Sequence, residues 1–133
     1  DDGPEQKPLR TVEVEDAIMD LLPSHRYDLV LTHGLWGEYT RNRRHEEVAK
    51  AVMALREGQR LSTGDIWMFA YEDGDGKYLP RPAASSDVCV RLPRDTWQRK
   101  YEILTRVYGH APDSFEARTT PREETFWVIG RGK

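Results

Sequence analysis

The sequence predicts an α/β fold in which a mixed β-sheet is flanked by helices, a Rossmann-like arrangement. Helix-type and strand-type patterns alternate along much of the 133-residue chain, as they do in α/β proteins. The segment 65–92 contains two strand-type runs and no helical pattern, so a purely parallel sheet is not expected. The length corresponds to one domain with a modest hydrophobic core.

The chain is expected to begin with a flexible tail and a first helix. Residues 1–9 are charged and contain two prolines, which favours a flexible tail. Residues 10–133 then form the folded domain. Thr11 is suited to cap a helix that Pro23 ends. The inner stripe of this helix is predicted from apolar residues at helical spacing: Val14, Ala17, Ile18, Leu21 and Leu22.

The central unit of the chain is a strand, a loop and a helix. The Leu-Val-Leu run within residues 28–32 is typical of a strand that is buried on both faces. A polar loop with two glycines follows at 33–41. Apolar residues then recur at helical spacing over 43–56, which predicts an amphipathic helix that closes near Gly58. Open α/β sheets bind ligands beyond the carboxyl ends of their strands, where this loop lies.

The second half of the chain is predicted to contain three strands and a helix. Apolar or alternating patterns indicate strands at 66–71, 88–92 and 125–129. The Glu-Asp-Gly-Asp-Gly sequence at 72–76 is typical of a hairpin turn. A helix is expected to start at Pro93 and to end at Gly109. Its inner face is predicted from four residues at helical spacing: Trp97, Tyr101, Leu104 and Tyr108.

His45 is the first candidate for a functional residue. It lies in the first turn of the predicted helix and in phase with Val48 and Val52, so we expect it to be partly buried. A single imidazole does not hold zinc, because protein zinc sites use three or four ligands. His33 at the end of the preceding strand and Glu38 in the loop are further candidates.

The residues around His45 resemble a motif of a known enzyme family. Thr-His at 32–33, Gly-Glu-Tyr-Thr at 37–40 and His45 at a helix start look like the second motif of the PIG-L/LmbE-like zinc de-N-acetylases. A weaker similarity extends over most of the chain from Thr11 onward. The resemblance implies a zinc-dependent hydrolase that removes an N-acetyl or other N-acyl group from an amino sugar or sugar conjugate. It implies that His45 is a zinc ligand and that Asn42 lies beside the oxyanion.

Two departures from the family pattern limit what the chain is expected to do alone. The His-Pro-Asp-Asp-Glu-like segment, which gives the family two zinc ligands and its general base, is absent. Asn42 replaces the family's catalytic histidine; an amide does not titrate near neutral pH, and Asn is also a good helix N-cap. The resemblance thus implies an incomplete, carboxy-terminal portion of the domain. We expect it to be inactive alone and to bind zinc only when a missing N-terminal segment completes the site.

A second interpretation is a non-catalytic binding or protein-interaction module with a degenerate site. Trp36, which lies between two glycines, is expected either to line a sugar-binding cleft or to pack as a lid on its own domain. Arginines at the helix entrance are candidates for binding a phosphate or carboxylate, and internal pairing with nearby glutamates is an equal alternative. These arginines are Arg41, Arg43 and Arg44.

Composition excludes several classes of partner. A formal net charge of -3 gives no reason to expect nucleic acid or an anionic membrane surface. The sequence has no apolar run near the roughly 20 residues of a transmembrane helix, and its acidic start does not look like a signal peptide. The single cysteine, Cys89, cannot form an internal disulfide and fits a reducing cytoplasm. The expected protein partners are a second copy or a polypeptide that completes the sheet.

Overall fold

The computed structural model describes residues 5–130, so residues 1–4 of the predicted tail and residues 131–133 lie outside it. The described part of the chain contains four α-helices and six strands. In chain order they are α1 (Thr11–Leu21), β1 (Arg26–Thr32), α2 (Arg43–Glu57), β2 (Ser62–Phe69), β3 (Tyr71–Glu72), β4 (Arg81–Pro82), β5 (Val88–Arg91), α3 (Arg94–Glu102) with a π-helical turn (Ile103–Val107), α4 (Phe115–Arg118) and β6 (Glu123–Ile129).

The predicted mixed sheet is confirmed. Strands β1 and β2 run parallel, and α2 connects them. Strand β6 pairs antiparallel with β2 on one side and with β5 on the other, which gives the order β1-β2-β6-β5. Strands β3 and β4 form a separate antiparallel hairpin around the predicted turn. The predicted strand at 66–71 is therefore divided: β2 begins earlier and stops at Phe69, and Tyr71 belongs to the hairpin.

The main hydrophobic core lies between α2 and the sheet. Val52 and Leu55 of α2 pack with Ile66 and Met68 of β2, and Leu61 joins them from the connecting segment. Apolar residues of α1 cover one side of this cluster. Leu55 and Ile66 are fully buried. This packing fixes the first turn of α2 relative to the carboxyl end of β1, because a helix with a buried face cannot rotate freely.

The prediction that the 28–32 strand is buried on both faces is wrong for the described part of the chain. Strand β1 is an edge strand, and no strand among residues 5–130 pairs with its outer side. Leu29 and Leu31 are 42% and 54% exposed as a result. An apolar run of this kind is usual in strands with neighbours on both sides. Here the run borders an apolar groove beside α1 and α2.

The first helix begins differently from the prediction. Arg10, not Thr11, occupies the N-cap position. The main-chain N–H of Arg10 donates to the Glu13 carboxylate at 3.1 Å, and the Arg10 guanidinium donates to the same group at 2.9 Å. The predicted inner stripe includes Leu21, but this residue is 83% exposed. The stripe is narrower than the pattern indicates because only one face of α1 meets α2.

The helix after Pro93 changes its geometry before it ends. Residues 94–102 are α-helical, and the next five form a wider π-helical turn. Trp97 and Tyr101 are partly buried as predicted, whereas Tyr108 is exposed. A π-helical turn alters the angular phase of the residues that follow, which explains why the last predicted inner residue faces outward. Within the described residues, no helix is both long enough and apolar enough to cross a membrane.

The core assignment predicts a large cost for truncating Leu55. Leu55→Ala should lower the free energy of unfolding by about 2–5 kcal/mol, because it removes a fully buried side chain and leaves a cavity. The same change at exposed Leu21 is the matched control and should stay within about 0.5 kcal/mol. Chemical denaturation of both variants measures the difference. Equal losses would show that the assigned core does not carry the stability of the fold.

Candidate functional site

Three side chains that commonly bind metals meet at the carboxyl end of β1. His33 follows the strand directly, Glu38 lies in the loop, and His45 is in the first turn of α2, as predicted. The Nδ1 atom of His33 lies 2.7 Å from Oε2 of Glu38, and Nδ1 of His45 lies 3.9 Å from the same oxygen. One possible ligand atom from each residue falls within 4.8 Å of the other two. The sequence named all three residues but could not show that they come together.

Two glycines shape the loop that brings Glu38 back to the end of β1. Gly34 and Gly37 form an isolated antiparallel bridge, with the Gly37 N–H donating to the Gly34 carbonyl at 3.1 Å. Gly37 has φ +109, and a Cβ at this position would stand 2.2 Å from the Thr40 carbonyl oxygen. A larger residue would therefore be strained both by its conformation and by contact with the main chain. The loop needs glycine here.

The two imidazole rings are stacked face to face. The ring centroids of His33 and His45 are 3.9 Å apart, and the ring planes differ by only 2°. The lone pair of an imidazole nitrogen lies in the ring plane, so two parallel rings cannot both point at one ion. The residue types and the spacing of the three groups fit zinc, which takes nitrogen and carboxylate ligands. Binding would require one of the two rings to rotate.

Asn42 caps α2. Its Oδ1 atom accepts hydrogen bonds from the main-chain N–H groups of Arg44 at 3.0 Å and of His45 at 3.3 Å. The capping interpretation is therefore confirmed, and the cap sets the position of the main chain at His45. The cap uses the amide oxygen, and the amide nitrogen is chemically able to donate to an oxyanion. The proposed catalytic contact of Asn42 stays a prediction.

The arginines at the start of α2 have intramolecular partners. The Arg41 guanidinium lies 3.1 Å from the Glu46 carboxylate, and this pairing raises the pKa of Arg41. Arg43 donates to a main-chain carbonyl of the N-terminal segment. Arg44 donates to another such carbonyl and to a side-chain carboxylate. The acceptors are Gln6, Lys7 and Glu47. Assignment of the three arginines to a bound anion therefore stays a prediction.

A cleft of about 320 Å³ opens beside the histidine cluster. Glu38 lines both the cluster and the cleft, so it connects the two features. Trp36 is 67% exposed at the cleft and meets Trp127 edge to face at 6.3 Å. Trp36 borders the cleft, and its assignment to a bound sugar stays a prediction. No pattern in the sequence indicates that five further aromatic side chains line the cleft: Tyr39, Phe69, Tyr71, Tyr78 and Trp127.

The tyrosines at the base of the cleft are held by a network of polar groups. The rings of Tyr39 and Tyr71 lie 4.5 Å apart. The Tyr71 hydroxyl donates to the Glu124 carboxylate at 2.7 Å, and Lys100 forms an ion pair with the same carboxylate. Burial is the main cause that raises the pKa of Tyr39 and of Tyr71 far above the usual range; the negative charge of Glu124 adds to it for Tyr39, and the hydrogen bond to Glu124 adds to it for Tyr71. Both hydroxyls therefore stay protonated at neutral pH.

Asp73 connects the β3–β4 turn to the loop after β1. A hydrogen bond from the Thr40 side chain is the main cause that lowers the pKa of Asp73, and main-chain N–H groups of the turn add to it. A carboxyl group with a lowered folded-state pKa stabilises the fold above its unfolded-state pKa. This contribution is lost as the pH falls through the folded-state pKa. The contact thus helps to hold the loop over the cleft at neutral pH.

Removing the Thr40 hydroxyl should change the titration of Asp73. Thr40→Val should raise the pKa of Asp73 towards its ordinary value, because the main donor to the carboxylate is gone. Side-chain ¹³C NMR of Asp73 across the acidic range measures this. Thr120→Val is the control. It removes a hydroxyl that donates to the main-chain carbonyl of Glu116 and should leave the pKa of Asp73 unchanged. An unchanged Asp73 titration in Thr40→Val would show that Thr40 does not donate a hydrogen bond to Asp73.

The role of Asn42 as a cap predicts a clear mutational series. Asn42→Ala should lower the free energy of unfolding by about 0.5–2 kcal/mol, since the first turn loses its side-chain acceptor. Asn42→Asp should stay close to the parent protein because Asp is an equally good cap. Thermal and chemical denaturation of the three proteins measure the effect. Equal stability of the Ala and Asp variants would argue against a capping role.

Comparisons with known proteins identify no relative of this chain. No protein-family model matches it, and no curated protein or solved structure matches it significantly. The similarity to the de-N-acetylase motif therefore depends on the residues from Thr32 to His45 and the weaker matches that follow them.

Proposed function

We propose that this chain is part of a zinc-dependent hydrolase that removes an N-acyl group from an amino sugar or a sugar conjugate. One observation carries the proposal. His45, the residue that the motif assigns to zinc, lies beside Glu38, and Glu38 also lines an aromatic cleft. A metal-type side chain next to a substrate-sized cleft is the arrangement that a metal-assisted hydrolase requires.

The walls of the cleft favour a sugar as the substrate. Its volume of about 320 Å³ is at the lower end of small-molecule sites, which run from roughly 300 to 1,000 Å³. Aromatic rings of Trp36 and Tyr78 can pack against the apolar face of a pyranose. Carboxylates of Asp73 and Asp75 border the same space and can accept hydrogen bonds from sugar hydroxyls.

The proposed reaction assigns distinct tasks to the residues of this chain. His45 contributes one ligand to the metal, and zinc supplies an activated water and a polarised acyl oxygen when it is bound. The Asn42 amide donates to the acyl oxygen as negative charge develops there. Trp36 orients the sugar. Two further ligands and the general base come from a segment that carries the His-Pro-Asp-Asp-Glu-like motif, which this sequence does not contain.

The free edge of β1 supports a partner that completes the sheet. Unpaired edge strands normally carry charges, prolines or bulges that prevent further pairing. Strand β1 has charges at Arg26 and Asp28, but its second half exposes Leu29 and Leu31. A strand added at this edge would cover the apolar run and bring new residues to its carboxyl end. We propose a completing polypeptide as this partner, with a second copy of the chain as the alternative. The proposal places the protein in the cytoplasm, where an exposed thiol such as Cys89 stays reduced.

Complementation tests the proposed reaction. The chain should be mixed with a polypeptide that carries the His-Pro-Asp-Asp-Glu-like half, and acetate release from N-acetylglucosamine conjugates should be measured with added zinc. We expect turnover from the mixture and none from the chain alone, which lacks the general base. His45→Ala should reduce the rate by more than about 100-fold, since loss of a direct ligand exceeds the cost of losing an outer-shell partner.

His25→Ala is the matched control for this experiment. His25 is exposed and precedes β1 at the opposite end of the strand from the cluster, so its replacement should leave the rate unchanged. Absence of turnover in a correctly assembled complex would contradict the hydrolase proposal. Sugar binding that persists in a chelator, without turnover, would favour the alternative of a non-catalytic sugar-binding module.

A further inference from the structure

We infer that this chain holds one divalent metal ion, preferentially zinc, with three of its own side chains. The ligands are His33, Glu38 and His45, and no ligand from another segment is required. The inference goes beyond the proposed function, which takes only His45 from this chain. It also departs from the expectation that zinc binds only when a missing segment completes the site.

The three donor groups match the preferences of zinc. Two imidazole nitrogens and one carboxylate oxygen form a known ligand set of catalytic zinc sites, with the fourth position left to water. Calcium and magnesium prefer sites made entirely of oxygen atoms, so two histidines argue against both ions. The Glu38 carboxylate offsets part of the ion's charge. It also compensates for the start of α2, whose dipole is unfavourable to a cation.

The spacing of the donor atoms is close to what a tetrahedral ion needs. Zinc bonds of about 2.0–2.2 Å separate neighbouring ligand atoms by roughly 3.3–3.5 Å. The two measured separations from Glu38 Oε2 fall on either side of this range, at 2.7 Å for His33 and 3.9 Å for His45. The two pairs that include Glu38 Oε2 therefore need adjustments of less than about 1 Å, and one imidazole ring must also turn out of the parallel stack. Side-chain rotation alone can produce such changes.

The main chain that carries the three ligand residues is held by hydrogen bonds at three points. His33 follows Thr32, which is buried and paired with Met68 of β2. The Gly34–Gly37 bridge holds the loop that carries Glu38, and the Asn42 cap fixes the first turn at His45. A preorganised main chain lowers the entropic cost of assembling a metal site, because only side chains remain to be ordered.

The ion can reach the site from solvent. The side chains of His33, Glu38 and His45 are 29%, 15% and 37% exposed, so the cluster is partly shielded but open. The cleft gives a path to Glu38. One imidazole must leave the parallel stack for both ring nitrogens to face the same ion. Metal binding should therefore separate the two rings, and this structural change can be observed independently of any catalytic activity.

Metal titration of the whole chain tests the inference. The protein should be freed of metal with a chelator, and zinc should then be added in a calorimeter, with metal analysis after dialysis. We expect one zinc ion per chain. Cobalt should bind in its place and give the strong visible absorption of a tetrahedral site. In ¹⁵N NMR, the imidazole nitrogens of His33 and His45 should shift on zinc addition, whereas those of His25 should not.

Single substitutions identify the ligands. His33→Ala, Glu38→Gln and His45→Ala should each weaken zinc binding by at least about 10–100-fold, the loss that even outer-shell partners of a metal produce. His110→Ala is the matched control: His110 lies 3.4 Å from the Glu116 carboxylate but belongs to no three-residue cluster among the described residues. It should bind zinc like the parent protein.

Three outcomes would overturn the inference. The first is a zinc content of less than about a tenth of an ion per chain. The second is a loss of zinc affinity in His110→Ala as large as the loss in the cluster variants. The third is that the imidazole resonances of His33 and His45 do not shift when zinc is added. Circular dichroism checks that each variant is folded, and the NMR measurement on the parent protein needs no variant. Zinc binding by the chain without turnover in the complementation mixture would reject only the proposed reaction. Turnover in that mixture, with no zinc bound by the chain alone, would reject only this inference.

Discussion

The packing of α2 against the parallel pair of β1 and β2 is the interaction on which the rest of the structure depends. Leu55 and Ile66 meet in the core without solvent exposure, which fixes the helix over the sheet. A parallel pair needs a crossover, so the end of β1 and the start of α2 are joined by one loop. The histidines occupy the two ends of this loop, and their proximity follows from the topology.

Glu38 is the second constraint, because one carboxylate serves two neighbouring features. Its carboxylate approaches both histidines on one side and borders the aromatic cleft on the other. A ligand in the cleft would therefore meet the cluster through Glu38. The loop reaches this arrangement only because Gly37 adopts a conformation that other residues rarely accept. Gly37 and Glu38 are adjacent, so the backbone conformation of Gly37 is linked to the position of the Glu38 carboxylate.

The exposed edge of β1 and the histidine cluster have different physical requirements. The edge leaves main-chain groups and two leucines without a covering strand among the described residues, a state that favours association. The histidine cluster needs no such neighbour, since His33, Glu38 and His45 all come from the loop after β1 and the residues that flank it. A metal site can therefore form locally even where the sheet would be completed by another chain, because the two rely on different contacts.

The sequence by itself determined the types of the main helices and strands, since periodicity reports which residues can share a buried face. It identified the strand–loop–helix unit, placed His45 in the first turn of α2, and named His33, Glu38 and Trp36 as candidates. Tertiary structure decided what periodicity cannot encode. It placed β1 at the edge and turned Tyr108 outward through a π-helical turn. It also brought His33, Glu38 and His45 together, because loop closure depends on contacts between residues that no local pattern relates.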